Sequence, residues 1–217
     1  MKKCIIVANG NIPRKNDILF FIKKGYDTII CADGGANSIF KLGLVPHFII
    51  GDFDSVKKQT LNHFKNKSKI INIKRQNDTD VEKCLKFAIK KKFDEAVLLG
   101  VTGDRLDHTI CNLGIVIKFF DRIKCCISAE KSFLVPINST AEFQTVPNET
   151  ISLYAFNEKT VITTKGLKFP IKNSTLPFGK KESTSNRAVS NRVILEIQNG
   201  IVFVIRDLET IKRYDLI

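Results

Sequence analysis

The sequence predicts two fold classes in series: an N-terminal α/β domain built on a parallel, Rossmann-like sheet over residues 1–128, then a C-terminal all-β domain of sandwich or barrel type over residues 129–217. Three observations predict this. Up to about Ser128, short apolar runs alternate with longer amphipathic ones, the rhythm of βαβ units. Beyond about Ala129 that helical period disappears, and strand-like runs recur between turn residues. A hydrophobic content of 43% over 217 residues suits folded cores and excludes a disordered chain.

In chain order, the apolar runs place strands at residues 3–8, 28–32, 48–50, 70–73, 96–99 and 124–127. The amphipathic stretches between them place helices around residues 17–24, 36–42, 57–64, 80–91 and 108–120. The fourth helix carries its own start signal, a capping box with Thr79 as N-cap and Glu82 three residues on. In the second half, strands are expected at 133–136, 141–145, 151–155, 161–164 and 167–171. A last pair, 193–197 and 201–205, flanks Asn199-Gly200, a dipeptide that tolerates the positive φ angles of a tight hairpin turn. There is no internal repeat and no low-complexity linker.

A formal charge of +13 raises nucleic acid or an acidic membrane as a partner. The lysines, however, are scattered in short runs such as Lys57-Lys58 and Lys90-Lys91-Lys92, with no arginine-rich helix, so a solvated surface is expected instead. Six cysteines form no CxxC pair, and four lie in strand-like apolar runs, which points to reduced thiols rather than disulfides or zinc. The apolar run after Met1-Lys2-Lys3 is too brief for a signal-peptide core, and no apolar stretch approaches the ~20 residues of a membrane helix. A cytoplasmic location is the expectation.

In an open parallel sheet, ligands bind beyond the carboxyl ends of the strands. Here those ends carry Asp33-Gly34-Gly35-Ala36-Asn37, Gly51-Asp52-Phe53-Asp54-Ser55, Gln76-Asn77-Asp78-Thr79-Asp80, and the run from Gly100 through Gly103 and Arg105 to His108. Carboxylates gathered at one sheet edge repel one another unless a cation joins them. Mg²⁺, which favours hard oxygen ligands and shares them with substrate phosphates, is the natural candidate. Gly34, Gly35, Gly100 and Gly103 let backbone N–H groups approach an anion, and Arg105 offers a planar fork for phosphate oxygens. No GxxxxGK[ST] loop is present.

Each of these residues alone has a plainer structural explanation. Asp33 and its glycines can close a strand and open a helix, Asp54-Ser55 can cap the helix that follows, Asp80 can complement a helix dipole, and His108 can be a helix-start residue. Coincidence at four strand ends is what those explanations leave out.

Together, DGGAN at 33–37, GDFDS at 51–55, Thr79-Asp80 after Gln76, and GVTGDRLDH at 100–108 with Asn112 resemble the thiamine pyrophosphokinase family. The likeness continues in Gly166-Leu167-Lys168-Phe169-Pro170, Phe178-Gly179 and Ser183-Thr184-Ser185-Asn186. The resemblance implies ATP and Mg²⁺ as co-substrates, thiamine as acceptor, and AMP and thiamine diphosphate as products. It implies a homodimer, with thiamine near the interface between the α/β domain of one chain and the β domain of the other. By position, Asp52, Asp54 and Asp80 match the family's metal-binding carboxylates. Asp33, Gly34, Gln76, Asn77, Gly103, Arg105, Asp107, His108 and Asn112 match its nucleotide and phosphate contacts, and Ser185 and Asn186 its thiamine-side loop.

Two departures stand out. Asn77 occupies a position where the family often has Asp, and the chain has no tryptophan, so Phe203 is the nearest match for an aromatic beside thiamine. Two rival readings remain: a diphosphokinase for a pterin alcohol, and a basic nucleic-acid-binding module on an inactive nucleotide fold. The expected reaction is in-line attack of a hydroxyl on the β-phosphorus, with Asp52, Asp54, Asp80 and Arg105 as the catalytic set.

Overall fold

The computed structural model describes residues 1–74, 77–103 and 105–217, and the chain divides into two compact units, Met1–Glu130 and Lys131–Ile217. The last strand of the first unit ends at Ala129, and Glu130 turns the backbone with a positive φ of 50°.

In the first unit, β1 (Lys3–Val7), β2 (Thr28–Ala32), β3 (Phe48–Gly51), β4 (Lys69–Asn72), β5 (Glu95–Leu99) and β6 (Lys124–Ala129) alternate with α1 (Lys15–Lys23), α2 (Gly35–Lys41), α3 (Lys58–Phe64), α4 (Asp80–Lys90) and α5 (Leu106–Lys118). All the strand pairs are parallel, in the order β4-β3-β2-β1-β5-β6. Central strands buried on both faces need unbroken apolar runs, and Cys4 to Val7 and Ala96 to Leu99 supply them. The chain fills one side of β1 as far as β4 and then crosses to β5 and β6 on the other. The carboxyl ends of β1 and β5 therefore flank the point where strand order reverses, where such sheets open a crevice.

The second unit has two antiparallel sheets. One orders β12 (Ser183–Arg187), β9 (Thr150–Ala155), β14 (Val202–Asp207) and β7 (Ser132–Ile137); the other orders β11 (Ser174–Thr175), β10 (Val161–Lys165), β13 (Arg192–Gln198) and β8 (Ala141–Gln144). Ile151, Leu153, Val202 and Val204 from the first meet Ile162, Val193, Leu195 and Ile197 from the second in one core, which makes this a sandwich.

Three expectations for this unit need correction. Asn199 does take a positive φ of 61°, yet the turn closes no hairpin: β13 pairs with β10 and β8, β14 with β7 and β9, so Asn199-Gly200 carries the chain between sheets. Residues 167–171 form no strand. Pro170 has no N–H to donate, and the segment makes a single bridge, Leu167 to Ala188. The polar stretch Ser183–Arg187 is instead an edge strand on β9, with an irregularity between Ser183 and Asn186 where Ser185 takes a φ of 56°. The expected sandwich is otherwise observed, with one short helix at its end. Helix α6 (Leu208–Tyr214) follows β14, capped by Asp207, which accepts from the Thr210 N–H at 2.7 Å, and it buries Leu208 and Ile211.

Candidate active site at the strand-order reversal

A cavity of about 520 Å³ opens in the first unit beyond β1, β2 and β5 and is lined by residues from Ala8 to Asn112. Its acidic floor forms locally. Asp33 follows β2 with a φ of 41°, a left-handed conformation uncommon outside glycine, and is 1% exposed. Its carboxylate does not cap α2, whose N-cap is Gly34 without a side-chain bond. It reaches across to the next strand end, where Oδ2 accepts the Ser55 N–H at 2.9 Å. Oδ1 is buried and meets no hydrogen-bond donor among the described residues.

The loop after β3 is shaped by Phe53, whose φ of 69° is a strained value for a bulky residue. Asn37 braces it: Nδ2 donates to the Ser55 carbonyl at 3.1 Å, while Oδ1 accepts from the Lys57 N–H at 3.0 Å and Thr60 Oγ1 at 2.8 Å. The cap of α3 is Lys57, so Asp54-Ser55 is not a helix cap. Thr79 and Glu82 complete both halves of the capping box, at 3.2 and 3.0 Å, which fixes Asp80 in the first turn of α4.

These devices bring one carboxylate oxygen each from Asp33, Asp52 and Asp80 within 4.8 Å of one another. The residues come from three strand connections separated by up to 47 positions, from 33 to 80. Asp54 is not one of the trio. It is exposed, and its Oδ1 accepts from Ser55 Oγ at 2.8 Å. That bond, with another to Asp33, holds the Asp54 carboxyl below its ordinary range. Asp33 moves the other way. Burial pushes it up to about 6, against the Ser55 N–H and aided by its bond to Asp54 and the charges of Asp80 and Asp54.

A cation already stands in this cluster. Lys83, one turn along α4 from Asp80, has a side chain 3% exposed, with Nζ 2.8 Å from Asp80 Oδ1 and 3.7 Å from Asp52 Oδ2. Burial works to lower its pKa, but the two carboxylates outweigh burial and raise it, so the ammonium stays charged.

On the other side of the cavity, the backbone comes close to itself. A Cβ on Gly10 would lie 2.2 Å from the Thr102 carbonyl oxygen, and one on Gly100, whose φ is 64°, 2.6 Å from that of Ala8. A Cβ on Gly34 would lie 2.4 Å from the Asn9 side chain, whereas Gly103 is less crowded, at 3.2 Å from the Asn11 nitrogen. Only glycine lets these chain segments approach so closely. Arg105, Asp107 and His108 are exposed on the cavity rim. Arg105 pairs there with Asp107 through bonds of 3.2 and 2.6 Å, which hold the Asp107 carboxyl below its ordinary range. Asn112 is buried beneath them and donates to the Val101 carbonyl at 2.7 Å. Asn77 is exposed in the turn before α4, and Gln76 lies outside the described residues.

Sequence reasoning missed two contributors. Asn9-Gly10 ends the central strand and lines the cavity, a place the strand order identifies but an isolated Asn-Gly pair does not. Lys83 reads in sequence as one more helical lysine. Its spacing of three from Asp80 was the available signal.

In the second unit, Ser185 is exposed and lines a cavity of about 520 Å³ with Phe169 and Lys181. Asn186 is 3% exposed, and its amide is already engaged. Nδ2 donates to the Phe169 carbonyl at 2.7 Å, and Oδ1 accepts the Phe169 and Arg187 N–H groups at 3.1 and 2.9 Å. Phe203 is 1% exposed beneath Phe156, with ring centroids 5.2 Å apart, and so presents no face to a ligand. The accessible aromatic surface includes Phe169 at that cavity, and Phe156 with Phe178, whose centroids are 5.3 Å apart.

Known proteins share this organisation. Residues 22–127 match the thiamin pyrophosphokinase catalytic domain, and residues 136–202 match the thiamin pyrophosphokinase vitamin B1 binding domain. Thiamin pyrophosphokinase 1 of Caenorhabditis elegans is 30% identical over 191 residues, covering 81% of this chain and 77% of that protein. Thiamine pyrophosphokinase of Bacillus subtilis is 24% identical over 215 residues, covering 96% of this chain and all of that protein. The crystal structure of the B. subtilis protein has the same fold, with a TM-score of 0.81 at 23% identity over 95% of this chain and 99% of that one. The yeast structure superposes with a TM-score of 0.83 at 19% identity, over 98% and 89% of the two chains. Both domains, in this order and with this acidic crevice, identify the chain as a member of the thiamine pyrophosphokinase family.

Proposed function

We propose that this chain transfers the diphosphate of ATP to the hydroxyl of thiamine, giving thiamine diphosphate and AMP, with Mg²⁺ as the metal and a homodimer as the working form. The observation that carries the reading is the meeting of Asp33, Asp52 and Asp80 beyond the ends of β2 and β3, across the cavity from a wall of glycines. The residues fit a small divalent ion. The donors are hard carboxylate oxygens, they converge within 4.8 Å, and the buried Asp33 Oδ1 lacks a donor among the described residues.

Asp33, Asp52 and Asp80 would hold the ion, with Asp54 next to them. When bound, Mg²⁺ would neutralise charge on the phosphate oxygens and so make the β-phosphorus easier to attack. The backbone around Gly10, Gly34, Gly100 and Gly103 leaves room for the triphosphate, and Arg105 would exchange Asp107 for a phosphate oxygen. The acceptor oxygen then forms a bond to the β-phosphorus as the bond from that phosphorus to the AMP oxygen breaks. A cleft carboxylate takes the hydroxyl proton. Positioning and charge neutralisation supply most of the acceleration.

In the β unit, Ser185 is the residue we assign to thiamine, and Asn186 the clip that holds the Ser185 strand against Phe169. A match to a vitamin B1 binding domain over 136–202 supports that location.

An assay for AMP tests the reading. AMP should appear with thiamine, ATP and Mg²⁺, and should not appear without Mg²⁺ or with a pterin alcohol as acceptor. Asp80→Ala should lower the rate by about a hundredfold or more while leaving the folded secondary structure intact. A near-wild-type rate for that variant at saturating Mg²⁺ would remove Asp80 from the mechanism.

A further inference from the structure

We infer that Lys83 is a positioning residue that stands in for part of the divalent ion's charge, holding Asp52 and Asp80 together before metal arrives and weakening the binding of metal without nucleotide. The inference rests on the proposed role of the carboxylate trio. Its basis is geometric. An ammonium whose side chain is 3% exposed lies 2.8 Å from Asp80 Oδ1 and 3.7 Å from Asp52 Oδ2, on the same cluster whose oxygens converge within 4.8 Å. Lys83 reaches it from α4 itself, three residues after Asp80, so the capping box that fixes Asp80 also fixes the lysine.

Three buried or half-buried carboxylates brought this close repel one another, and an internal cation offsets that repulsion. The same cation opposes a second positive charge entering beside it. A divalent ion arriving alone meets that opposition unrelieved. One that arrives on a triphosphate brings negative charge with it, which Lys83 and the ion can share. The consequence is a site assembled in advance but reluctant to fill with free metal, so that metal and nucleotide enter together.

The test is titration of the folded protein with Mn²⁺ alone, followed by the resonance signal of free Mn²⁺, alongside thermal unfolding without metal. Lys83→Met should bind Mn²⁺ about tenfold more tightly or better than wild type, from removal of a like charge at close range. It should also melt at a lower temperature without metal, and Mn²⁺ should restore the difference. Lys83→Arg should stay near wild type in both. A residue that only packed α4 would lower the melting temperature without tightening Mn²⁺ binding. If Lys83→Met does not accumulate as folded protein, Lys83→Gln gives the same comparison. Unchanged or weaker Mn²⁺ binding in the neutral variant overturns the inference and leaves the metal site standing. Absence of Mn²⁺ binding in both wild type and the neutral variant overturns the metal site, and this inference with it.

Discussion

The carboxylate trio depends on glycines as much as on the acids. Gly51 is an example. A Cβ there would lie 2.7 Å from the Asp33 Cβ and 3.1 Å from its Cα, so the GDFDS motif needs its first residue to be glycine for Asp33 to stand where it does. Gly51→Ala should cost about 1–3 kcal/mol of stability, the usual range for forcing an atom into packed space, and should weaken Mn²⁺ binding because the displaced residue, Asp33, is one of the proposed ligands. Denaturant unfolding and Mn²⁺ titration check the two effects. Had Gly51 served only as a flexible joint, alanine would leave Mn²⁺ binding unchanged. Residues were legible in the sequence where their type was unusual for their place, as with four acidic strand ends. They were illegible where function came from burial: Lys83 is one of many lysines until the fold encloses it, and Phe203 looked like a ligand-facing aromatic until the fold covered it with Phe156.

Among elements, α4 links stability to chemistry. Its capping box satisfies two N-terminal groups and aims Asp80 into the cluster. Thr79→Ala should therefore cost about 0.5–2 kcal/mol and also reduce the rate beyond what lost fold accounts for, measured as turnover below the melting transition. A second prediction concerns the other end of the sheet. Glu95 at the start of β5 ties neighbouring strands through Lys3 Nζ at 3.2 Å, Tyr26 Oη at 3.0 Å and Lys124 Nζ at 3.4 Å. Burial acts to raise its pKa, but these bonds prevail and lower it. A lowered folded-state pKa means that stabilisation is present above the unfolded value near 4.5 and is lost as pH falls through the folded value. Glu95→Gln should cost about 1 kcal/mol at pH 7, and the gap from wild type should close toward pH 3. Helices were legible because their period is strong, and the parallel strands because their apolar runs are short and unbroken. The edge strand Ser183–Arg187 was not, since an exposed polar edge has no alternation to read. Asn199-Gly200 fixed a turn but not the partners of its flanking strands, which are settled by which faces bury Val193, Leu195, Val202 and Val204 together.

For the whole molecule, the order of strands turns scattered residues into a site. Asp33 and Asp52 meet because β2 and β3 are paired neighbours, and Asp80 joins them because α4, on its way from β4 to β5, packs across β2 and β3. A ligand bound only by the folded state raises stability with its concentration. Mn²⁺ with an ATP analogue should raise the melting temperature more than either alone, and Asp52→Asn should lose that synergy.

The most direct test of the central claim is a crystal structure with Mn²⁺ and a non-hydrolysable ATP analogue, examined for the anomalous signal of manganese. The account predicts a peak within coordination distance, ~2.0–2.2 Å, of oxygens from Asp33, Asp52 and Asp80 and of the bound phosphates. A peak elsewhere, or these three side chains turned to solvent with the nucleotide in place, would contradict it.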